Sequence, residues 1–511
     1  MLSKVLSYGL LGIEAYPIEI EIDVREGLPS INFVGLPDQA TKESKDRIKC
    51  ALNNCGFGYP ADRITVNLAP ADIPKSGPAF DLAIALGILA SSSQIPQETL
   101  NDFVFLGELS LDGSIRPIKG ALPISIAMRD EKSSPKNLLL PEINAAEAAI
   151  IREVNVFAFK NLKQVINFLT EKEYKISPAK LNMQEAMKDT LYPLDFQDVK
   201  GQNLAKRALE VAVAGAHNVL MVGPPGSGKT MLAKRIAGII PEMTLEEALE
   251  TTKIHSSLGA VPDKIGLITK RPFYAPHHTI SDVAMVGGSQ IPQPGEISLA
   301  HNGVLFLDEL PEFRRNVLEA LRQPLEEGKI RVCRIHKSLT FPAKFMLVAA
   351  MNPCPCGFYT DPTKKCRCNT TKIERYLSKI SGPLMDRIDI HIEVPAVKYK
   401  ELTSTQISEP SSAIKQRVKK ARQIQLARFQ PEGIFANAHM THKHIKKHCI
   451  LNQEGQDLLK AAIEELGFSA RAYDKILKIS RTIADLVESK DILPEHLSEA
   501  IQYRSLDRQI F

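Results

Sequence analysis

The octapeptide Gly223-Pro224-Pro225-Gly226-Ser227-Gly228-Lys229-Thr230 fits G-x-x-x-x-G-K-[ST] at every position. Residues of these types at this spacing capture phosphate. Glycines let successive backbone N–H groups turn into one concavity, and a helix N-terminus behind them adds partial positive charge. Lys229 is then placed to neutralise β- and γ-phosphate oxygens, and the Thr230 hydroxyl to ligate Mg²⁺. Further along, Asp308 and Glu309 stand side by side, Asn352 stands alone, and Cys354, Cys356, Cys366 and Cys368 form C-x-C-x₉-C-x-C. Paired acids near a phosphate loop suit a metal ligand and a water-polarising base. Four thiols in a Pro/Gly-rich loop suit tetrahedral Zn²⁺ bound as thiolates, or else remain reduced and unliganded.

This chemistry needs a strand before the phosphate loop and a helix after it. The apolar run Val219-Leu220-Met221-Val222 supplies the strand, and Met231 to Ala237 reads as the first helical turns. Two more apolar runs, Val304-Leu305-Phe306-Leu307 and Phe345 to Ala350, lead into Asp308 and towards Asn352. Continuous apolar strands separated by helices predict a parallel sheet covered on both faces, with ligands at the carboxyl edge. Asp308 is then read as the metal ligand, Glu309 as the residue that polarises attacking water, and Asn352 as a water-orienting amide. The alternative for the two acids is to cap the helix starting near Pro311, and an Asn after a strand is, taken alone, more often a turn residue.

A chain of 511 residues exceeds one core, so several domains are expected. Residues 1–170 alternate short strands and helices. Ile18 to Val24 alternates apolar and acidic residues, the pattern of a half-buried antiparallel strand, and the runs at Ile31 and Ile64 read likewise. Helices are predicted over Gln39 to Cys55 and Asp81 to Ser91. Residues 171–193 lack a sustained period and read as a linker. Residues 194–395 hold the phosphate loop and the apolar strands, and 411–511 read as helical throughout. The fold class is multidomain α/β. A net charge of +5 permits a nucleic-acid partner without demanding one. The N-terminus lacks a signal-peptide h-region, no apolar run spans a bilayer, and the cysteines form no disulfide framework, so a cytoplasmic protein with no membrane partner is expected.

Gly223 to Thr230, Val304 to Glu309, Asn352, the segment Ser381 to Asp389 and Ser469-Ala470-Arg471 together resemble the ordered motifs of AAA+ ATPases: Walker A, Walker B, sensor 1, an arginine finger and sensor 2. Arg271 to Ser281 and Pro294 to Gly303 resemble the magnesium-chelatase-like branch. The whole chain is similar to the YifB/ComM subfamily. That resemblance implies a Lon-protease-like α+β N-terminal domain, an AAA+ core with a parallel sheet, and an all-α C-terminal lid. It also implies ATP and Mg²⁺ as cofactors and a hexameric motor that drives branch migration of DNA joints during natural transformation. Arg387 would reach the neighbouring subunit's nucleotide, and Arg471 would act from the lid.

The stretch holding Lys264, Lys270, Arg271, His277 and His278 is read as a loop insertion facing the pore of the ring. Ile330 to Phe341 is read as a hairpin turning near His336-Lys337-Ser338. By the same resemblance Lys337 would meet a DNA phosphate, with Arg334 and His336 beside it; a solvated basic hairpin is the plainer reading. In the N-terminal domain, Ala79 falls where Lon proteases carry the nucleophilic serine and Leu122 where they carry lysine, so proteolysis is not expected. An assembly subunit of a tetrapyrrole metal chelatase and a regulatory interaction protein are the rival functions.

Overall fold

The computed structural model describes residues 1–171, 174–181, 192–262, 265–288, 292–333, 338–359, 361, 364–397, 408–504 and 506. It divides into two compact units. The first comprises Met1–Lys188 with Thr244–Thr269 and Gln290–Gln293; the second comprises Asp189–Met243, Lys270–Ser289 and Pro294–Phe511. Most of the stretch expected to be a 171–193 linker, residues 172–173 and 182–191, lies outside the described residues.

The first unit is built on a seven-stranded mixed sheet. Its order is Ser30–Val34, Arg63–Ala69, Glu14–Arg25, Leu2–Leu11, Phe103–Phe105, Asn137–Pro141 and Asn155–Phe159. Strict alternation in Glu14–Arg25 puts Ile18, Ile20 and Ile22 wholly inside and leaves Glu19 exposed, as period 2 requires. The run at Ile64 pairs antiparallel with that strand, as expected. The run at Ile31 instead pairs in parallel with Arg63–Ala69. The helix between them, Gln39–Asn54, makes a crossover, and a crossover returns the chain in the same direction. Asp38 starts that helix by accepting the Thr41 N–H at 2.8 Å. Helix Asp81–Ser91 is apolar on every side and buried along its whole length.

Helix Leu245–Leu258, which follows the phosphate loop in sequence, belongs to this first unit rather than to the stretch 194–395 that surrounds it. It packs against helix Ala121–Asp130. Gly120 N–H donates to Ser256 O at 2.9 Å, and the buried Glu147 carboxylate accepts from Ser256 Oγ and from Leu122 N–H at 2.9 Å. Burial raises the Glu147 pKa, and these hydrogen bonds only partly offset it.

The second unit contains a five-stranded sheet in which every neighbouring pair is parallel. In chain order its strands are Val219–Val222, Phe273–Tyr274, Val304–Leu307, Met346–Met351 and Ile390–Glu393, arranged in space as 5-1-4-3-2. The first, third and fourth are buried at every residue, as expected of continuous apolar runs inside a covered sheet. Helices Ser411–Phe429, His442–His448, Gln453–Leu466, Ala470–Leu486 and Pro494–Gln502 follow. Their apolar faces share one core with the sheet, in which Val219 and Val348 join Val418, Ile476 and Leu497. Among the described residues, no helix is long and apolar enough to cross a membrane.

Candidate nucleotide site

The loop after the first strand of the parallel sheet opens at the carboxyl edge between strands four and five. Gly226 and Gly228 have φ of 78° and 90°, the left-handed region that glycine enters without penalty. Gly223 is needed for a different reason, since a Cβ there would lie 2.1 Å from Val394 O. Lys229 begins helix Lys229–Arg235, and its Nζ folds back into the loop. It donates to Gly223 O at 2.8 Å, Pro224 O at 2.9 Å and Asn352 Oδ1 at 3.3 Å. Burial lowers the Lys229 pKa, against the opposing pull of Asp308 and Glu309. A buried ammonium held only by neutral oxygens fits an anionic phosphate.

Thr230 Oγ1 donates to Asp308 Oδ2 at 2.6 Å. The hydroxyl and the carboxylate are the oxygen donors that Mg²⁺ takes, and they meet across 78 residues of sequence. Asp308 Oδ1 also accepts the Glu309 N–H at 3.0 Å. Glu309 stands at the N-cap of the turn Leu310–Glu312 and its carbonyl accepts the Glu312 N–H at 2.8 Å, but its side-chain carboxylate makes no capping bond. Its backbone is left-handed, φ 53° and ψ 48°, which is uncommon outside glycine. Its Oε2 lies 3.4 Å from His278 Nδ1. Of the residues assigned to a pore insertion, His278 is therefore placed against the acid pair. Arg271 is held by backbone, donating to Pro241 O and Asn302 O at 2.7 Å each.

Arg387 follows the short helix Gly382–Met385. Its Nη1 donates to Pro383 O and its Nη2 pairs with Glu326, while its Nε is buried with no hydrogen-bond partner among the described residues. It borders a cavity of about 360 Å³ whose wall includes Glu326, Asp386 and Lys475. The acids next to Arg387 in sequence serve other partners. Asp386 pairs with Arg471 at 3.2 Å, where the arginine is 63% exposed and the pair contributes little. Asp389 is buried, accepting Asn218 N–H at 3.1 Å and lying 3.2 Å from Lys475 Nζ and 3.5 Å from His217 Nδ1. Burial alone would raise its pKa, but Lys475, His217 and Lys478 hold it well below the carboxylate range. Burial pushes the Lys475 ammonium down to about 8, with Asp389 resisting. Lys475 also donates to Ile388 O at 2.9 Å, so the lid helix Ala470–Leu486 is tied to the backbone beside Arg387.

The four thiols of Cys354, Cys356, Cys366 and Cys368 converge, all within 4.8 Å of one another. The expected hairpin forms from Lys329–Cys333 and Ser338–Pro342, with Cys333 opposite Ser338. Arg334, His336 and Lys337, expected at its turn, lie outside the described residues, as does Lys264. In the first unit Leu122 is fully buried. Ala79 lines a cavity of about 340 Å³, where it offers no nucleophile.

Three contributors escaped motif reading. Gln202 adopts a left-handed backbone, φ 53°, and its Nε2 donates to Ser227 O inside the phosphate loop. The only sequence signal was Gly201-Gln202 ahead of an apolar helix. His278 offered a histidine beside another histidine and nothing about Glu309. Glu326 stands 61 residues from Arg387, and no spacing rule links them.

Three family models match the chain. "Magnesium chelatase, subunit ChlI" covers residues 195–402, "Subunit ChlI of Mg-chelatase" covers 20–144, and "Magnesium chelatase, subunit ChlI C-terminal" covers 408–504. Competence protein ComM of Haemophilus influenzae is 45% identical, over 99% of this chain and 98% of its own length. Protein YifB of Escherichia coli is 43% identical over the same shares, 99% and 98%. The magnesium-chelatase 67 kDa subunit of Chlorobaculum parvum is 29% identical over 31% of this chain and 23% of its own.

Proposed function

Because this chain belongs to the YifB/ComM subfamily of magnesium-chelatase-like AAA+ ATPases, we propose that it is a ring-forming ATPase motor that acts on DNA, with branch migration during natural transformation as its process. The observation that carries the ATPase reading is the convergence of Lys229, Thr230, Asp308 and Asn352 at one sheet edge. A lysine, a hydroxyl, a carboxylate and an amide gathered at the carboxyl edge of a parallel sheet support a nucleotide site there.

In this reading Lys229 exchanges its carbonyl partners for phosphate oxygens, and Thr230 and Asp308 hold Mg²⁺. The bound metal supplies neutralisation of the phosphate charge. Glu309 polarises the attacking water, and His278, 3.4 Å away, restrains the carboxylate. Asn352 senses the terminal phosphate by donating from its side-chain amide N–H, while its Oδ1 accepts from Lys229. Arg387 leaves Glu326 to reach the nucleotide of a neighbouring subunit, where its fixed charge contacts several oxygens. Arg471 acts from the lid, and the Asp389–Lys475 contact transmits its movement to the Arg387 segment. The active assembly is a cytoplasmic homo-hexamer, and the four-thiol cluster holds a structural zinc ion. The DNA part of the reading is supported by the full-length likeness to a relative named as a competence protein.

The test is ATP turnover by the purified full chain without DNA and with single-stranded, duplex and four-way-junction DNA, alongside movement of the junction. Stimulation by branched DNA with junction movement is expected. Turnover indifferent to every DNA would contradict the motor. The chelatase model matches favour one second reading, an ATP-dependent assembly subunit of a tetrapyrrole metal chelatase. It requires companion chelatase subunits to stimulate turnover.

A further inference from the structure

The thiol cluster sits beside the nucleotide machinery by construction. Cys354 follows Asn352 by two residues and is fully buried. Sγ–Sγ separations are 3.3 Å for Cys354–Cys356, 3.5 Å for Cys356–Cys366 and 3.8 Å for Cys354–Cys366. A tetrahedron with Zn–S bonds of about 2.3 Å has edges of about 3.8 Å, so these thiols stand close to the corners of one zinc site. Backbone N–H groups of Phe358 and Arg367 hydrogen-bond to Cys356 Sγ, and Cys368 N–H reaches Cys366 Sγ at 3.4 Å. Such donors favour thiolate over thiol and fix its direction.

The knuckle touches the nucleotide site in three ways. Gly357, buried and left-handed at φ 82°, lies against the ring of Pro225 in the phosphate loop. A Cβ there would lie 2.4 Å from Pro225 Cδ and 2.7 Å from its Cγ. Asn352, at the knuckle's entry, meets Lys229 at 3.3 Å. Past its exit, helix Thr370–Leu377 carries Tyr376, whose hydroxyl hydrogen-bonds to the Asn352 backbone. The knuckle is therefore pinned to the sensor strand at both ends and to the phosphate loop in its middle.

We propose that a tetrathiolate zinc ion at Cys354, Cys356, Cys366 and Cys368 sets the position of the phosphate loop and Asn352, so that metal occupancy controls nucleotide affinity. This rests on the structural-zinc reading given above and extends it to control of the site. Loss of the metal frees the four thiols, Gly357 withdraws from Pro225, and Asn352 loses register with Lys229.

The test uses the full chain, prepared without affinity tags, with zinc measured by elemental analysis and affinity by titration with a fluorescent ATP analogue. About one zinc per chain is expected. Stripping it with a chelator under reducing conditions should weaken nucleotide binding roughly tenfold to a hundredfold, the worth of one charge-assisted hydrogen bond to phosphate. Re-adding Zn²⁺, or Cd²⁺ as a probe, should restore it. Cys366→Ser and Cys368→Ser, both away from the Pro225 contact, should reproduce the stripped state. Gly357→Ala tests the contact itself: zinc is retained while affinity falls. A parent protein free of metal overturns the zinc reading. Metal lost with affinity unchanged within about twofold leaves zinc in place and overturns the coupling alone, as does Gly357→Ala with parental affinity.

Discussion

Replacing Lys229 by alanine should weaken ATP binding by a predictable amount. Two unit charges about 4 Å apart attract by about 4 kcal/mol at an effective dielectric of 20, the value suited to a site at the protein edge. Against this stand the contacts that Lys229 already makes to Gly223 O at 2.8 Å and Pro224 O at 2.9 Å, which it must give up. Each is worth about 0.5–1.5 kcal/mol net, so the gain on binding is about 1–3 kcal/mol. At about 1.4 kcal/mol per decade, Lys229→Ala should raise the ATP Kd roughly 5- to 140-fold. Alanine is a good helix former, so helix Lys229–Arg235 should survive, and an unchanged melting temperature would show it. Equilibrium titration of parent and variant with a fluorescent ATP analogue, at matched Mg²⁺, measures the ratio. A Kd within about threefold of the parent would refute the assignment of Lys229 to phosphate.

Three further outcomes are expected. Glu309→Gln should keep nucleotide affinity but slow turnover by about 10²- to 10⁴-fold, the usual worth of a positioned general base; equal loss of binding in a single-turnover and binding comparison would show the role misassigned. Asp389→Asn should destabilise the second unit by about 3–5 kcal/mol at neutral pH, because it leaves Lys475 buried without its counter-charge. The pH dependence has a definite sign: the folded Asp389 carboxyl lies below its unfolded value, so its contribution is present above about pH 4 and lost as pH falls further. Lys475 is depressed to about 8, so the parent gains stability only as pH rises above that value, whereas the variant, with its lysine lower still, should begin to gain at a lower pH than the parent; identical melting-temperature profiles would contradict this. Lys337→Ala should lower DNA affinity across sequences and reduce the log–log salt slope by about 0.9 per duplex phosphate contact, while basal ATPase survives; an unchanged slope removes Lys337 from the interface.

Much of the site was legible because its chemistry is local. Eight consecutive residues specify the phosphate loop, and four apolar residues before Asp308 announce a strand end. Buried parallel strands advertise themselves by continuous hydrophobicity, and the lid helices by their period. What escaped reading depends on partners distant in sequence. The parallel pairing of Ser30–Val34 follows from a crossover helix rather than from the strand's own pattern. Asp389 is two residues from Arg387 in sequence, yet it is buried against Lys475, and Glu326 holds the arginine. Helix Leu245–Leu258 follows the phosphate loop in sequence and packs on Ala121–Asp130 in the first unit, an exchange that only contacts such as Ser256 with Glu147 disclose.

The central claim, that each nucleotide site is completed by an arginine from a neighbouring subunit, is tested by mixing two inactive proteins. Arg387→Ala subunits retain Lys229, Asp308 and Glu309 and should bind ATP yet turn it over slowly. Lys229→Ala subunits should bind poorly but still present Arg387. In assemblies shown to exchange subunits, mixing them should recover ATP turnover above the sum of the two, highest near equal proportions, because mixed interfaces pair an intact loop with an intact arginine. Turnover that never exceeds that sum at any ratio would contradict the claim.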